Sequence, residues 1–389
     1  MLPLSLYLHI PFCLKRCDYC DFNTYADMGE KIPDYVNSLM REIKNVGLII
    51  DGCYLFETIY FGGGTPSLLE IDQISQIINS LQKNLSVSSN PEITFEVNPG
   101  TVSKDYLKTL FSLGINRLSI GAQSVKEEEL KLLGRIHSNQ DTRNSIIWAK
   151  EAGFDNFSLD LIFGIPRQTM RDWMNSIHSL LAFQPTHLSL YALTIEENTP
   201  MAKKVLKSDL ACCSDDLAAD MFEEAIGVLK ANDYEHYEIS NFHKNVNGIN
   251  HKCLHNLRYW RNDDYIGVGA GAHSHYKQQR WENIENISEY IRASTMENFK
   301  NDLFAKTKIS NNSTMAEMQE TMMLGLRLIG EGVSKRDFFN RYHEKMEIQF
   351  GKEIEYLIQS GLVTWVGENL QLTKRGIMLG NLVFMQFVT

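Results

Sequence analysis

No apolar window in this chain approaches the roughly 20 residues that a spanning helix needs, and basic residues are outnumbered, 38 against 48 acidic. The first absence argues against a membrane-spanning helix. The second leaves a formal charge of -10, which argues against phosphate-backbone binding and so against nucleic acid as a partner. Proline is scarce at 9 in 389 residues and there is no low-complexity tract, excluding collagen-like and disordered classes. Disulfide pairing is disfavoured too, because the seven cysteines are odd in number and three crowd into positions 13 to 20. That usage suits metal binding or thiol chemistry in a reducing compartment. No basic leader precedes the first apolar run, so the N-terminus does not read as a secretory signal, and a cytoplasmic protein is expected.

What is present is ordinary globular composition, 43% hydrophobic and 22% charged, in a length that suits two or three domains or one barrel with an appendage. Up to about residue 242, short β-rich runs at 4–10, 58–61, 92–97, 117–120, 156–162 and 186–193 alternate with helical patterns at 33–46, 71–82, 103–113, 141–152, 170–181 and 215–231. Six βα units in series require a parallel sheet with right-handed crossovers, doubly wound or rolled into a barrel. The strand ends carry polar or glycine groups: Gly62 to Thr65, Glu96, Gln123, Asp160 and Tyr191. Such ends share one rim in a barrel, which favours an α/β fold with a (βα)6 barrel over 1–242. Residues 243–310, rich in His, Asn, Tyr and Gly, read as an irregular connecting segment. Residues 311–389 read as a helical, winged-helix-like domain with a hairpin at 362–366 and 370–373. That domain is not strongly basic, so it is expected to pack or meet a partner rather than read DNA.

The sequence HIPFCLKRCDYCDF sets Cys13, Cys17 and Cys20 at a C-x3-C-x2-C spacing directly after the first strand. A loop of this kind can wrap three sulfurs around one inorganic centre, as thiolates do for iron–sulfur clusters. Phe22 stands two positions after the last cysteine, so a four-iron cluster held here keeps one iron open for a small chelating ligand. Phe12, Tyr19, Phe22 and Tyr25 are placed to limit water access, and Lys15 and Arg16 to offset thiolate charge. Structural zinc, completed by His9 or Asp21, and three unrelated buried thiols are the competing readings. Zinc sites usually close with a second cysteine or histidine pair, and none occurs here. Further on, TIYFGGGTPS feeds a strand into Gly62, Gly63 and Gly64, where backbone amides can approach a ligand or form a plain tight turn. It has neither the ending of a phosphate loop nor a dinucleotide fingerprint.

With GGGTPS, EVNP at 96–99, SIGAQS at 119–124, LGRIH at 133–137 and DLIFGIP at 160–166, the chain resembles the radical S-adenosylmethionine superfamily. Within it, the motifs are similar to those of the oxygen-independent coproporphyrinogen III oxidases and their relatives, over nearly the whole chain. The resemblance implies a partial parallel barrel of radical S-adenosylmethionine type. It implies that Cys13, Cys17 and Cys20 ligate a [4Fe-4S] cluster whose open iron takes the amino and carboxylate groups of S-adenosylmethionine. Gly63, Gly64 and Thr65 would line the methionine end, and Tyr7, Tyr19, Glu96, Gln123, Arg135 and Asp160 would contact the cofactor. A carboxylate such as Glu96 suits the two ribose hydroxyl donors. Arg135 and Asp160 have a plainer alternative, a structural ion pair across the rim.

Two departures from the oxidases stand out. They carry a further cysteine where Phe22 stands, and a longer segment before the first cysteine, here residue 13. HNLRYW at 255–260 instead resembles the H-N-x-x-Y-W signature of heme chaperones in the same family, implying heme contacts from His255, Asn256, Tyr259 and Trp260. An imidazole supplies an axial nitrogen and the aromatics cover the macrocycle. His251, Cys253, His273 and His275 are rival ligands, and a merely hydrogen-bonded histidine is the plain alternative. The resemblance thus implies a heme chaperone, with no catalytic residue assigned, that delivers heme to apo-hemoproteins of respiration. Peripheral membrane association and a homodimer go with it. The alternatives are the oxidase itself, abstracting a propionate hydrogen with a 5'-deoxyadenosyl radical, and a zinc-stabilised binding module.

Overall fold

The computed structural model describes residues 1–50, 52–296 and 303–388; residues 297–302 of the expected connecting segment, and the last residue of the C-terminal domain, lie outside them. Six strands follow one another in parallel: β1 (Leu2–Ile10), β2 (Tyr54–Gly63), β3 (Val87–Val97), β4 (Arg117–Gln123), β5 (Phe157–Phe163) and β6 (His187–Ala192). Between or after them run α1 (Ile32–Ile49), α2 (Ile71–Asn84), α3 (Lys104–Ser112), α4 (Asn139–Ala152), α5 (Met170–Leu181) and α6 (Asp215–Ala231). The helices form where an apolar stripe can be buried on the sheet. In α2 the buried residues are Ile74, Ile77, Ile78 and Leu81, the three-and-four spacing of one helix face. Side chains of Ser103, Ser138, Thr169 and Ser214 accept the first free N–H groups of α3, α4, α5 and α6, which ends each preceding loop sharply.

The sheet does not stop at six strands. β7 (Glu235–Glu238) and β8 (Asn241–His243) continue it antiparallel beyond β6, while β9 (Tyr265–Val268) lies parallel on β1. From β9 the sheet runs on through β10 (His273–Tyr276), β11 (Gln279–Asn283) and β12 (Lys306–Asn311), all antiparallel. The order β12-β11-β10-β9-β1-β2-β3-β4-β5-β6-β8-β7 leaves two edges, so the barrel is partial. Residues 243–310 therefore depart from the irregular segment expected of them. Their strands are only four to six residues long, too short for a periodic signal, and the β1–β9 pairing joins segments far apart in sequence. The same stretch contributes a short helix, α7 (Leu254–Trp260), which packs against β2.

After β12 come α8 (Thr314–Gly325), further helices and a small antiparallel sheet of 333–334, 363–366 and 369–372. They enclose a second core around Met322, Leu326, Phe338, Leu357, Leu370 and Val383. Polar contacts join this unit to the sheet: buried His275 Nε2 lies 2.9 Å from Glu317 Oε1, and half-buried Arg280 grips Glu320 through Nε at 2.9 Å and Nη2 at 2.7 Å. Among the described residues, no helix is long and apolar enough to cross a membrane.

Candidate functional site

Alternation along parallel strands sends every second side chain into the barrel, and the last inward position of each strand reaches the rim. Gly63 of β2, Glu96 of β3, Gln123 of β4, Asp160 of β5 and Tyr191 of β6 all line one cavity of ≈ 470 Å³. Cys13, Cys17, Cys20, Tyr19, Gly64, Thr65 and Arg135 complete its wall. Gln123 reaches it from a backbone with φ of 63°, at an irregularity in the β4–β5 pairing that re-aims the side chain.

The cysteine loop is anchored before and behind the thiols. Gly64 N–H donates to Ile10 O at 2.8 Å, Asp18 N–H to Leu133 O at 3.0 Å and Tyr25 N–H to Pro11 O at 2.7 Å. The glycine run allows this approach: a Cβ on Gly64 would lie 2.6 Å from Phe12 O, and Gly63 sits at φ +115° against the His9 ring. Each sulfur has a polar neighbour. Thr65 Oγ1 donates to Cys13 Sγ at 3.7 Å, Arg135 Nη1 to Cys17 Sγ at 3.5 Å, and Thr24 Oγ1 lies 3.9 Å from Cys20 Sγ. Burial pushes the Cys13 thiol up from its ordinary pKa, whereas a bound cation favours the thiolate.

Two carboxylates face the cavity in different company. Glu96 Oε1 accepts from the Tyr60 hydroxyl at 2.9 Å and Oε2 from Gly63 N–H at 3.2 Å. Burial, opposed by the Tyr60 hydrogen bond and assisted by the charge of Asp160, pushes its pKa up to about 7. Asp160 accepts from Ser119 at 2.9 Å and Ser158 at 3.0 Å; burial raises it as well. The rim ion pair weighed for Arg135 and Asp160 is not formed among the described residues. Arg135 turns instead to Cys17, to Gly121 O at 3.1 Å and to Asn98, while its buried Nε has no partner. Tyr7 is not on the cavity wall. It lies beneath, ring stacked on Tyr60 with centroids 6.1 Å apart and hydroxyl 3.0 Å from His9 Nδ1.

The HNLRYW residues are elsewhere. His255 is 1% exposed, with Nδ1 2.8 Å from Thr58 Oγ1 and Nε2 2.9 Å from the Tyr259 hydroxyl, and burial lowers its pKa to about 3. An open axial nitrogen is what the motif implied; here both nitrogens are engaged, because α7 presses the ring against β2. Tyr259 meets Tyr265 edge-on at 4.6 Å. Trp260 lies half-buried under the Arg327 guanidinium, 4.5 Å from its ring, and Asn256 is half-buried on the same helix. Tyr60 escaped the sequence reading, although the inward alternation of Thr58, Tyr60 and Gly62 on β2 was a signal for it.

The donor set fits an iron–sulfur cluster. Three free thiols at a cavity mouth, a guanidinium on one of them with an unpartnered Nε, and a glycine cradle beside them suit an anionic, sulfur-held centre with a polar ligand.

Known proteins agree with this architecture. Residues 7–180 match the model of the radical SAM superfamily and residues 314–379 that of the HemN C-terminal domain. The heme chaperone HemW of Bacillus subtilis (strain 168) is 36% identical over 386 residues, covering 99% of each chain. That of Lactococcus lactis subsp. lactis (strain IL1403) is 34% identical, covering 99% of this chain and 97% of its own. Among solved structures, the coproporphyrinogen III oxidase (HemN) from Escherichia coli, a radical SAM enzyme, aligns with a TM-score of 0.85 over 100% of this chain and 90% of its own. Its identity is 24%, so it speaks for the fold alone. From near-complete coverage by such relatives, together with the radical SAM match over the cysteine loop and strand ends, it follows that the chain belongs to the heme chaperone HemW family.

Proposed function

We propose that this chain holds a [4Fe-4S] cluster on Cys13, Cys17 and Cys20, binds S-adenosylmethionine across the strand-end cavity, and carries heme to acceptor apo-hemoproteins of respiration. The convergence of three thiols and five strand ends on one cavity carries the first part; the names of the relatives support the second. Gly63, Gly64 and Thr65 offer backbone and hydroxyl groups to the methionine end of the cofactor. Glu96 accepts from ribose hydroxyls once ionised, with Tyr60 and Gly63 N–H holding it in place. Tyr19, Gln123, Arg135 and Asp160 close the remaining wall, and Tyr7 supports Tyr60 from below. Held on Cys13, Cys17 and Cys20, a cluster would supply one-electron chemistry and an open iron site for the cofactor. His255, Asn256, Tyr259 and Trp260 belong to the heme-binding region, with His255 acting through Tyr259 rather than as an open ligand. The reduced cysteines suit a cytoplasmic protein, and a homodimer that touches the membrane peripherally suits delivery to respiratory acceptors.

The test is anaerobic purification with iron and sulfide analysis, a hemin titration and a coproporphyrinogen assay in parallel. About four iron and four sulfide per chain with saturable hemin binding supports the proposal. A single zinc and no iron overturns the cluster. Turnover of coproporphyrinogen without hemin binding overturns the chaperone reading in favour of the oxidase.

A further inference from the structure

We propose that Arg117 and His187, buried inside the barrel beneath the cofactor cavity, are positioning residues for Asp160 that hold it there as the carboxylate. The inference deepens the cofactor-binding reading above, on which it rests, by naming what fixes the charge of one wall group.

Barrel interiors are ordinarily filled by branched apolar side chains. Here the inward positions around and below Asp160 carry Thr94, Arg117, Ser119, Ser158, His187 and Ser189, all buried. Strand register brings them together: Ser119 stands opposite Ser158, Ser158 opposite His187, and Asp160 opposite Ser189. A continuous row of hydrogen bonds then climbs toward the cavity. Cys253 N–H, just before α7, donates to the Tyr237 hydroxyl at 3.2 Å. That hydroxyl lies 2.9 Å from His187 Nε2, and His187 Nδ1 lies 2.8 Å from Ser158 Oγ. Ser158 donates to Asp160 Oδ1 at 3.0 Å, and Ser119 to Oδ2 at 2.9 Å.

Counting protons assigns the direction of the row. Ser158 has one proton; with it on Asp160, the serine oxygen accepts from His187 Nδ1–H. His187 Nε2 is then bare and takes the Tyr237 proton, so every group is satisfied and each donor polarises the next. In the reverse order a protonated Asp160 donates to Ser158, Ser158 to Nδ1, and Nε2–H to Tyr237. The Tyr237 hydroxyl would then receive two donors and, among the described residues, find no acceptor for its own proton, which buried polar groups rarely tolerate. Only a neutral Nδ1–H imidazole with an ionised Asp160 closes the row.

The surrounding charges agree. Burial, helped by the Arg117 charge, holds the His187 pKa well below its ordinary value and the ring neutral. Burial pushes Asp160 up, while hydrogen bonds from Ser189, Ser119 and Ser158 and the charge of Arg117 pull it down. Tyr60, Glu96 and Tyr191 feel the Asp160 charge from β2, β3 and β6. Of the two carboxylates, Glu96 is the one raised to about 7, so it takes the proton they would contest. Arg117 is 2% exposed with an unpartnered Nε and acts on Asp160 by charge.

Infrared titration of the full chain tests this through the carboxylic C=O band of Asp160, identified by its loss in D160N, beside calorimetric titration with S-adenosylmethionine. At neutral pH the unaltered protein should lack the band. S158A, H187L and R117M should each raise the pH at which it appears by about one unit or more. H187N, which keeps an N–H toward Ser158, should restore the unaltered value, and R117K should do so for R117M. In an E96Q background, S158A should make cofactor affinity fall about tenfold as pH drops through the raised Asp160 value, whereas structural damage would lower affinity equally at every pH. An Asp160 band already present at neutral pH in the unaltered protein overturns the proposal. A titration unmoved in H187L or in R117M strikes that residue from the role. If the unaltered protein does not bind S-adenosylmethionine, the cofactor reading fails, while the infrared titration still decides the charge of Asp160.

Discussion

The Tyr60 hydroxyl donates to Glu96 Oε1 at 2.9 Å while its ring lies 5.1 Å from that of His255. One side chain of β2 therefore touches both the carboxylate on the cofactor cavity and the helix that bears the HNLRYW motif. Any change that moves Tyr60 moves both.

Glu96 should make cofactor binding depend on pH. Burial raises its pKa to about 7, above the ordinary carboxyl value of about 4.3, so the ligand-free fold binds the proton more tightly than the unfolded chain does. Its contribution to stability is full below about 4.3 and is lost as pH rises through about 7. Glu42 and Glu238, also raised to about 7 by burial, have the same sign, and comparison with E96Q isolates Glu96. Affinity for S-adenosylmethionine runs the other way, rising through about 7 because the ionised carboxylate accepts more strongly from hydroxyls. Calorimetric titration across this range should show the rise in the unaltered protein and a flat line in E96Q; a flat line in both would detach Glu96 from the ribose.

Arg135 places its charge 3.5 Å from Cys17 Sγ. A cation beside a ligating sulfur favours the more negative, reduced state of a cluster. R135Q should therefore lower the midpoint potential with the cluster still bound, measurable by a redox titration followed by electron paramagnetic resonance. An unchanged potential would make Arg135 a purely structural residue.

Gly64 is set by sterics. A Cβ there would meet Phe12 O at 2.6 Å and Ile10 O at 3.0 Å, both backbone atoms with no room to retreat. G64A should displace the cysteine loop, reduce iron per chain and lower stability by about 1–3 kcal/mol, as overpacking does. Full iron loading with an unchanged melting temperature would contradict the cradle.

The pair of His275 and Glu317, at 2.9 Å with side chains 1% and 2% exposed, holds the C-terminal unit to the sheet. Removing the hydrogen-bond partner of a buried carboxylate costs about 1–3 kcal/mol, so H275A should unfold at lower denaturant. Burial opposes the Glu317 charge, but His275 and Asn312 outweigh it and hold the carboxyl below its usual pKa. That stability is present above the ordinary carboxyl value and is lost as pH falls through the depressed one. Denaturation curves at several acidic pH values should converge for H275A and the unaltered protein.

The cysteine spacing, the glycine run and the βα period were legible because each is local. Three thiols within eight positions have to share a loop, a φ of +115° at Gly63 asks for glycine, and apolar periodicity follows from backbone geometry. The rim followed as well, since parallel strands bring their ends to one side. Less was legible after residue 242, where the short strands β9 to β12 carry little pattern of their own.

By itself, then, the sequence determined the chemistry within reach of a few residues: which loop can hold sulfur, which strands end in polar groups, and where the helices start. Tertiary structure alone decided that Thr58 and Tyr259 close around His255, that Arg135 reaches Cys17, and that β9 docks on β1 to leave His273 facing solvent. The physical reason is range. Local geometry follows from bonded neighbours, whereas the burial and partners of a side chain depend on segments that become adjacent only when the core forms.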